Sequence, residues 1–389
     1  MSKFFVRITQ ALSIAALSIA ASAAYSQEKV KVGFMLPYSG TYAALGVAIE
    51  NGFKLYVGEQ GGKLGGREVA YYTVDDESDA AKAVQNANLL AQRDRVDVLI
   101  GSVHSGVALA LTKVAKDNDI TLIVPNAGVG AITGALCAPN VFRSSYTAWQ
   151  TAYSMGKVAA EKGKKTAVTV TWRYAAGDEQ VAAFRQGFEE GGGKVLKDIS
   201  VPFPNVEFQA TVTELAAAKP DAVFAFFAGA GAVKFVQDFA GAGLARSMTL
   251  YGSGFLTDGT LQAQGEAAQG LLTTLHYADG LDTPRDNAFR RAYKERFNME
   301  PDVYAVQGYD AAQMYDAGLK AVSGDIAQKD ALRQAIREAR IDSPRGEFVL
   351  SKAGNPIQDI YLRQVVGQEN KAVGIAIKAL EDPATGCRM

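Results

Sequence analysis

Two cysteines and two histidines are all the chain carries of those types in 389 residues. With so little sulfur and imidazole, and no Cys-x-x-Cys or His-Glu-x-x-His spacing, zinc and thiol-redox chemistry are set aside and no metal is expected. Charge of one sign is also missing. Lys plus Arg number 40 and Asp plus Glu 41, a formal net charge of −1. That balance argues against a nucleic-acid or polybasic membrane surface. No Gly-x-Ser-x-Gly elbow and no Walker Gly-Lys-Ser/Thr is present, which disfavours hydrolases of the fold that carries that elbow and nucleotide-driven enzymes. What the chain does have is 48% apolar and 21% charged residues, enough to bury the cores of two or three domains.

The N-terminus reads as an export signal. Lys3 and Arg7 form a basic region, and Ala11 to Ala21 is apolar except for Ser13 and Ser18. Ala24-Tyr25-Ser26 then sets small residues at the −3 and −1 positions of a cut before Gln27. The 11-residue run is too short to span about 30 Å of hydrocarbon. A mature chain of net charge −3 in the periplasm is expected, and no later segment is long and apolar enough to span a membrane.

Beyond the signal, short apolar runs alternate with amphipathic stretches. Val30–Leu36, Glu68–Val74, Val96–Ile100 and Ile120–Val124 read as buried strands. Leu45–Glu59, Asp79–Gln92 and Gly106–Lys116 read as the helices between them. This order means a parallel sheet covered on both faces. After the short extended link Val141–Arg143 the pattern restarts. Helices Ala148–Glu161, Val181–Glu190, Phe208–Ala217 and Ala232–Ala242 alternate with strands Thr166–Thr171, Lys194–Val201, Ala222–Phe227 and Met248–Tyr251. Strand Gly270–Leu275, three helical stretches between 286 and 339, and strand-like segments near 348–350, 359–366 and 372–377 follow. Two α/β halves are expected to face one another across a cleft, with the ligand beyond the carboxyl ends of the strands.

The run Val32-Gly33-Phe34-Met35-Leu36-Pro37-Tyr38-Ser39-Gly40 resembles the opening of type I periplasmic binding proteins of the leucine/isoleucine/valine-binding family. Gly61–Gly66, Ile100–Gly106, Tyr174–Gly177, Pro220–Val223 and Tyr309–Ala311 continue the likeness in order over nearly the whole mature chain. The resemblance implies the ligand-binding subunit of an ABC importer: two doubly wound lobes joined by three crossovers, a membrane permease as partner, no catalysis and no cofactor. The expected division is a signal at 1–26, an N-terminal lobe of 27–143 plus about 276–340, and a C-terminal lobe of 144–275 plus about 341–389. A monomer is expected.

Ser105 follows a strand at a helix start, where it can cap the helix and where the helix N-terminus favours an anion. The resemblance implies that Ser105 and the loop Asn126-Ala127-Gly128 hold a ligand carboxylate. Gly128 falls where the family carries a side-chain hydroxyl, and Asn126 either compensates or satisfies its own turn. His104 is either a donor to the carboxylate or a packed residue. Tyr42, Leu45 and Tyr304 match the family's pocket walls. Trp172, Tyr174, Phe227 and Phe255 follow second-lobe strand ends, with Phe227 read as the cleft-facing member of Phe226-Phe227. The family's acidic ammonium partner falls at Gly254 and a supporting Tyr at Ala228, though a slip of one or two places would restore Asp258. The ligand is therefore expected to be a carboxylate without an amino group, an aromatic acid of the phenylpropanoid or benzoate kind. A branched-chain or other amino acid is the alternative.

Two other classes are weighed. Tyr153–Lys157 has a dehydrogenase-like Tyr-x-x-x-Lys spacing, but the first strand leads into Pro37-Tyr38-Ser39-Gly40-Thr41 rather than a dinucleotide fingerprint. A sensor that presents its closed form to a membrane receptor shares every feature above. Finally, Cys137 and Cys387 are expected to pair in an oxidising compartment. Closing a loop of that length would stabilise by roughly 5 kcal/mol in the chain-entropy model.

Overall fold

The computed structural model describes residues 28–389; the expected export signal lies outside them. Strand β1 (Val30–Leu36) is almost wholly buried because it runs between two parallel neighbours and beneath helices on both faces. The first sheet has the order β2-β3-β1-β4-β5-β6, with β2 Lys63–Leu64, β3 Arg67–Asp75, β4 Val98–Gly101, β5 Thr121–Val124 and β6 Val141–Arg143. Its crossover helices are α1 (Ala43–Glu59), α2 (Ala80–Asn88) and α3 (Ser105–Asp117). Helix α2 runs on as a wider turn through Leu89–Arg93, so the single helix expected over Asp79–Gln92 is broken near its end.

The second sheet carries β7 (Thr166–Arg173), β8 (Lys194–Pro202), β9 (Ala222–Phe226), β10 (Thr249–Ser253) and β11 (Leu272–Leu275). These are parallel, in the order β11-β10-β9-β7-β8. The C-terminal strands β12 (Val349–Leu350), β13 (Pro356–Val366) and β14 (Glu369–Leu380) extend it, β13 antiparallel to β11 with Arg363 opposite Thr273. Helix α4 (Ala148–Glu161) opens with a capping box. Thr147 accepts from the Gln150 amide, and the Gln150 side chain accepts from the Thr147 amide. Gln150 also donates to the carbonyls of Pro356 and Leu380, fixing the tail strands to this helix. Helix α5 spans Ala175–Glu190, six residues more than its apolar pattern predicts. It opens with Ala175-Ala176-Gly177 because it lies against Trp172, where a β-carbon on Gly177 would come 2.0 Å from the Trp172 carbonyl oxygen.

The chain crosses between sheets after Arg143, after Leu275 and again between α10 (Lys329–Glu338) and β12. Two of these crossings are pinned by buried polar groups. Arg143 donates to Thr133 Oγ1 at 3.1 Å and to the carbonyls of Ala127 and Val129. Arg345 pairs with Asp310 at 2.8 Å and reaches the Ser144 carbonyl at 2.7 Å. Beyond β14, Cys387 is joined to Cys137 by a disulfide.

Candidate ligand cleft

A small, tightly closed cavity lies between the lobes at the carboxyl ends of both sheets. The first lobe lines it with Tyr42, Val103, Ser105, Asn126 and Gly128, and the second with Tyr174, Ala176, Phe226, Ala228 and Phe255. Tyr146 from the first crossing and Tyr304 from α9 (Val303–Ala321) complete it. The lobes touch around it. Tyr42 and Tyr174 bring their hydroxyls to 3.3 Å, the His104 ring stacks on Tyr174 at 5.0 Å, and Gly130 N–H donates to Glu179 at 2.7 Å.

The loop after β4 decides the first-lobe chemistry. His104 caps α3: its Nδ1 accepts from the Gly106 amide at 3.2 Å. That relieves Ser105 of capping, and Ser105 Oγ is buried with no hydrogen-bond partner. It stands at the start of a 13-residue helix, where free amides and the helix dipole favour an anion. Asn126 does not satisfy its own turn; its amide donates to Gln307 Oε1 at 2.8 Å, which fixes its orientation from α9. Ala127 lies beside the cavity rather than in its lining. Its N–H donates to the Ser102 carbonyl and its own carbonyl is held by Arg143.

Three more residues expected at the cleft stand behind its wall. Leu45 is in the first-lobe core. Trp172 donates from Nε1 to the Asn205 carbonyl at 2.8 Å and sets its ring edge against Tyr42 and Phe227. Phe227 packs among Phe208 and Phe235 in the helix layer, with centroids at 4.9 Å. Strand β9 ends at Phe226, one residue earlier than expected, so Phe226 keeps the cleft-facing phase and Phe227 turns away. His104 closes the rim by stacking and lies outside the lining. Sequence reasoning missed Val103, Tyr146, Ala176 and Phe226 as lining residues. Tyr146 followed a short link and showed no periodicity to place it.

The lining holds no charged side chain. Burial raises the phenols of Tyr42, Tyr146, Tyr174 and Tyr304 well above their usual range, so all four stay protonated. Burial pushes His104 down to about 4, leaving it neutral. Asp258 is not a cleft acid. Its carboxylate is buried 2.7 Å from Arg363 Nη1, and the Gly254 position is filled by the Arg363 side chain and Leu275. The arrangement suits a small flat anion: aromatic walls, neutral donors and a helix start.

A family model described as periplasmic binding protein matches residues 29–371. The chain belongs to the periplasmic binding protein family. This binding protein is 32% identical over 363 residues, 91% of either chain, to the Leu/Ile/Val-binding protein homolog 6 of Brucella melitensis biotype 1. Among solved structures, it is 50% identical to a solute binding protein of an ABC transporter from R. palustris in complex with benzoate. That match covers 93% of this chain and 100% of the other with a TM-score of 0.91. A solute binding protein from Rhodopseudomonas palustris BisB5, in complex with 3,4-dihydroxy benzoic acid, is 31% identical with a TM-score of 0.86 over 91% of this chain and 99% of that one. The type I architecture of two parallel-sheet lobes is common to them. This chain is thus a solute-binding protein of the ABC-transporter kind.

Proposed function

We propose that the protein captures a benzoate-type aromatic carboxylate in the periplasm and delivers it to an ABC permease. The observation that carries this reading is a cleft with free hydroxyls and aromatic walls but no acidic side chain. An α-amino acid would bury its ammonium there without a counter-charge, at a cost of several kcal/mol. A benzoate has no such group. Its carboxylate would meet Ser105 and the start of α3, and its ring Phe226, Phe255 and the tyrosines. The 50% identical neighbour with benzoate supports the same class.

The proposed lobes are 27–143 plus about 276–340 and 144–275 plus about 341–389, closing about the three crossings. Ser105 and Asn126 would anchor from one side, Tyr174 and Phe226 from the other. Ligand favours closure because it contacts both lobes only when they are closed.

A thermal-shift series of benzoate, 4-hydroxybenzoate, coumarate, phenylpyruvate, leucine and phenylalanine tests this. A ligand at about 1,000 times its Kd adds about 4 kcal/mol, so benzoate is expected to raise Tm by about 5 °C. Leucine is expected to leave it unchanged. Strong stabilisation by leucine with none from the aromatic acids overturns the reading.

The pH dependence follows from His104. Closure holds its imidazole at about 4, against about 6.5 when solvent-exposed. As pH falls the open form takes up the proton first, so acid favours opening. Benzoate affinity is expected to fall about tenfold between pH 7.5 and 5.5 from this group alone. His104→Asn removes that part of the slope, and an identical slope in wild type and variant by titration calorimetry refutes the link.

A further inference from the structure

Gly128 and Tyr146 occupy one another's space. A β-carbon on Gly128 would lie 2.8 Å from Tyr146 Cε2 and 3.1 Å from both Tyr146 Cζ and the Ala148 amide nitrogen. Real β-carbons essentially never come so near, so the phenol ring stands where any side chain at 128 would project. The ring is held from behind. It stacks on His276 at 5.6 Å with planes 13° apart and tilts against Phe255 at 4.6 Å. His276 itself contacts Gln307, the residue that orients Asn126. Tyr146 is 3% exposed, and among the described residues nothing hydrogen-bonds its hydroxyl. Tyr42 and Tyr174, by contrast, point their hydroxyls at each other.

We propose that Tyr146 is a ligand-contacting and specificity-determining residue: its hydroxyl donates to the bound carboxylate, and its immobilised ring gives the cleft a flat wall that Gly128 makes possible. A free, protonated donor at the first crossing, lining the cavity together with Asn126 and Ser105, is what an anion requires. The rigid ring is planar where a branched aliphatic acid is thick. A planar carboxylate stacks there, and a puckered ring of equal carbon count meets the wall edge-on.

This inference rests on the benzoate-type reading, and the experiment separates the two. Titration calorimetry with benzoate and with cyclohexanecarboxylate is run on wild type, Tyr146→Phe and Gly128→Ala. Wild type is expected to prefer benzoate. Tyr146→Phe keeps the wall and removes the donor, so both ligands are expected to weaken by about tenfold or more with their ratio kept. Gly128→Ala pushes the ring aside, so the preference for benzoate is expected to collapse toward equality. Unaltered benzoate binding by Tyr146→Phe overturns the donor role even if Gly128→Ala fails to fold. A preserved ligand ratio in folded Gly128→Ala overturns the wall. A wild type that ignores benzoate sinks the functional reading instead.

Discussion

Gly229→Ala is expected to weaken benzoate binding by about 100-fold, or about 2.7 kcal/mol, while leaving the two lobes folded. Gly229 opens the helix after β9 at φ +55°, and a β-carbon there would sit 2.3 Å from the Thr41 carbonyl oxygen. Thr41 belongs to the first lobe and Gly229 to the second, so the clash exists only when the cleft is shut. The obstacle is backbone, which cannot rotate out of the way as a side chain could. The variant should therefore bind with one lobe and stop short of full closure. Small-angle scattering with saturating benzoate is expected to show compaction of wild type and little of Gly229→Ala. The positive φ alone costs roughly 1–2 kcal/mol of folding stability for an L-residue. Gly243→Ala controls for that: Gly243 has φ +73° with nothing within 4 Å of the added carbon. It should lose similar stability and bind normally. Equal affinity of Gly229→Ala and wild type would mean that closure does not bring these backbones together.

Arg363→Met is expected to be the most destabilising single change of those considered, by about 3–5 kcal/mol. Arg363 lies on β13, fully buried in the second lobe. Its guanidinium donates to the Tyr277 carbonyl at 2.9 Å, the Gly254 carbonyl at 3.0 Å and Thr273 Oγ1 at 3.1 Å, and it faces Asp258 at 2.7 Å. Removing it strands a buried carboxylate together with several acceptors. Tm should fall by about 4–7 °C. Arg363→Met combined with Asp258→Leu should recover part of that loss, because the uncompensated charge is gone. A double variant no more stable than the single one would place the cost in the carbonyl acceptors alone. The same pairing explains why Asp258, so close in sequence to where an ammonium partner would be sought, takes no part in the cleft: its charge is consumed by Arg363.

Much of the architecture was legible in the sequence, for a physical reason. Strands buried on both faces read as unbroken apolar runs, so β1, β4 and β5 stand out without any alignment. Helix α4 could be bounded to the residue, since a Thr-x-x-Gln box precedes it and a polar stretch ends it. The cleft was read less completely. Ser105, Asn126 and Gly128 lie where a strand meets a helix or loop, which is local information. Phe226 and Phe227 differ only in phase, and phase depends on the residue at which pairing stops. Tyr146 gains its place from a crossing between lobes and from the absence of a side chain 18 positions earlier, a relation visible only in three dimensions. His104 had two readings open, and it proved to be the helix cap whose presence leaves the Ser105 hydroxyl free.

The Cys137–Cys387 bond has a mechanical consequence. It closes a ring of 250 residues in sequence separation, and that ring contains the entire second sheet and the helices that return to the first lobe. Tension applied to the two ends of the chain would pass from Cys137 directly to Cys387. Only the segment before Cys137 and the two residues after Cys387 would carry load. Everything between the two sulfurs, including all three crossings and the second-lobe wall of the cleft, would be shielded from stretching until the disulfide itself was cut.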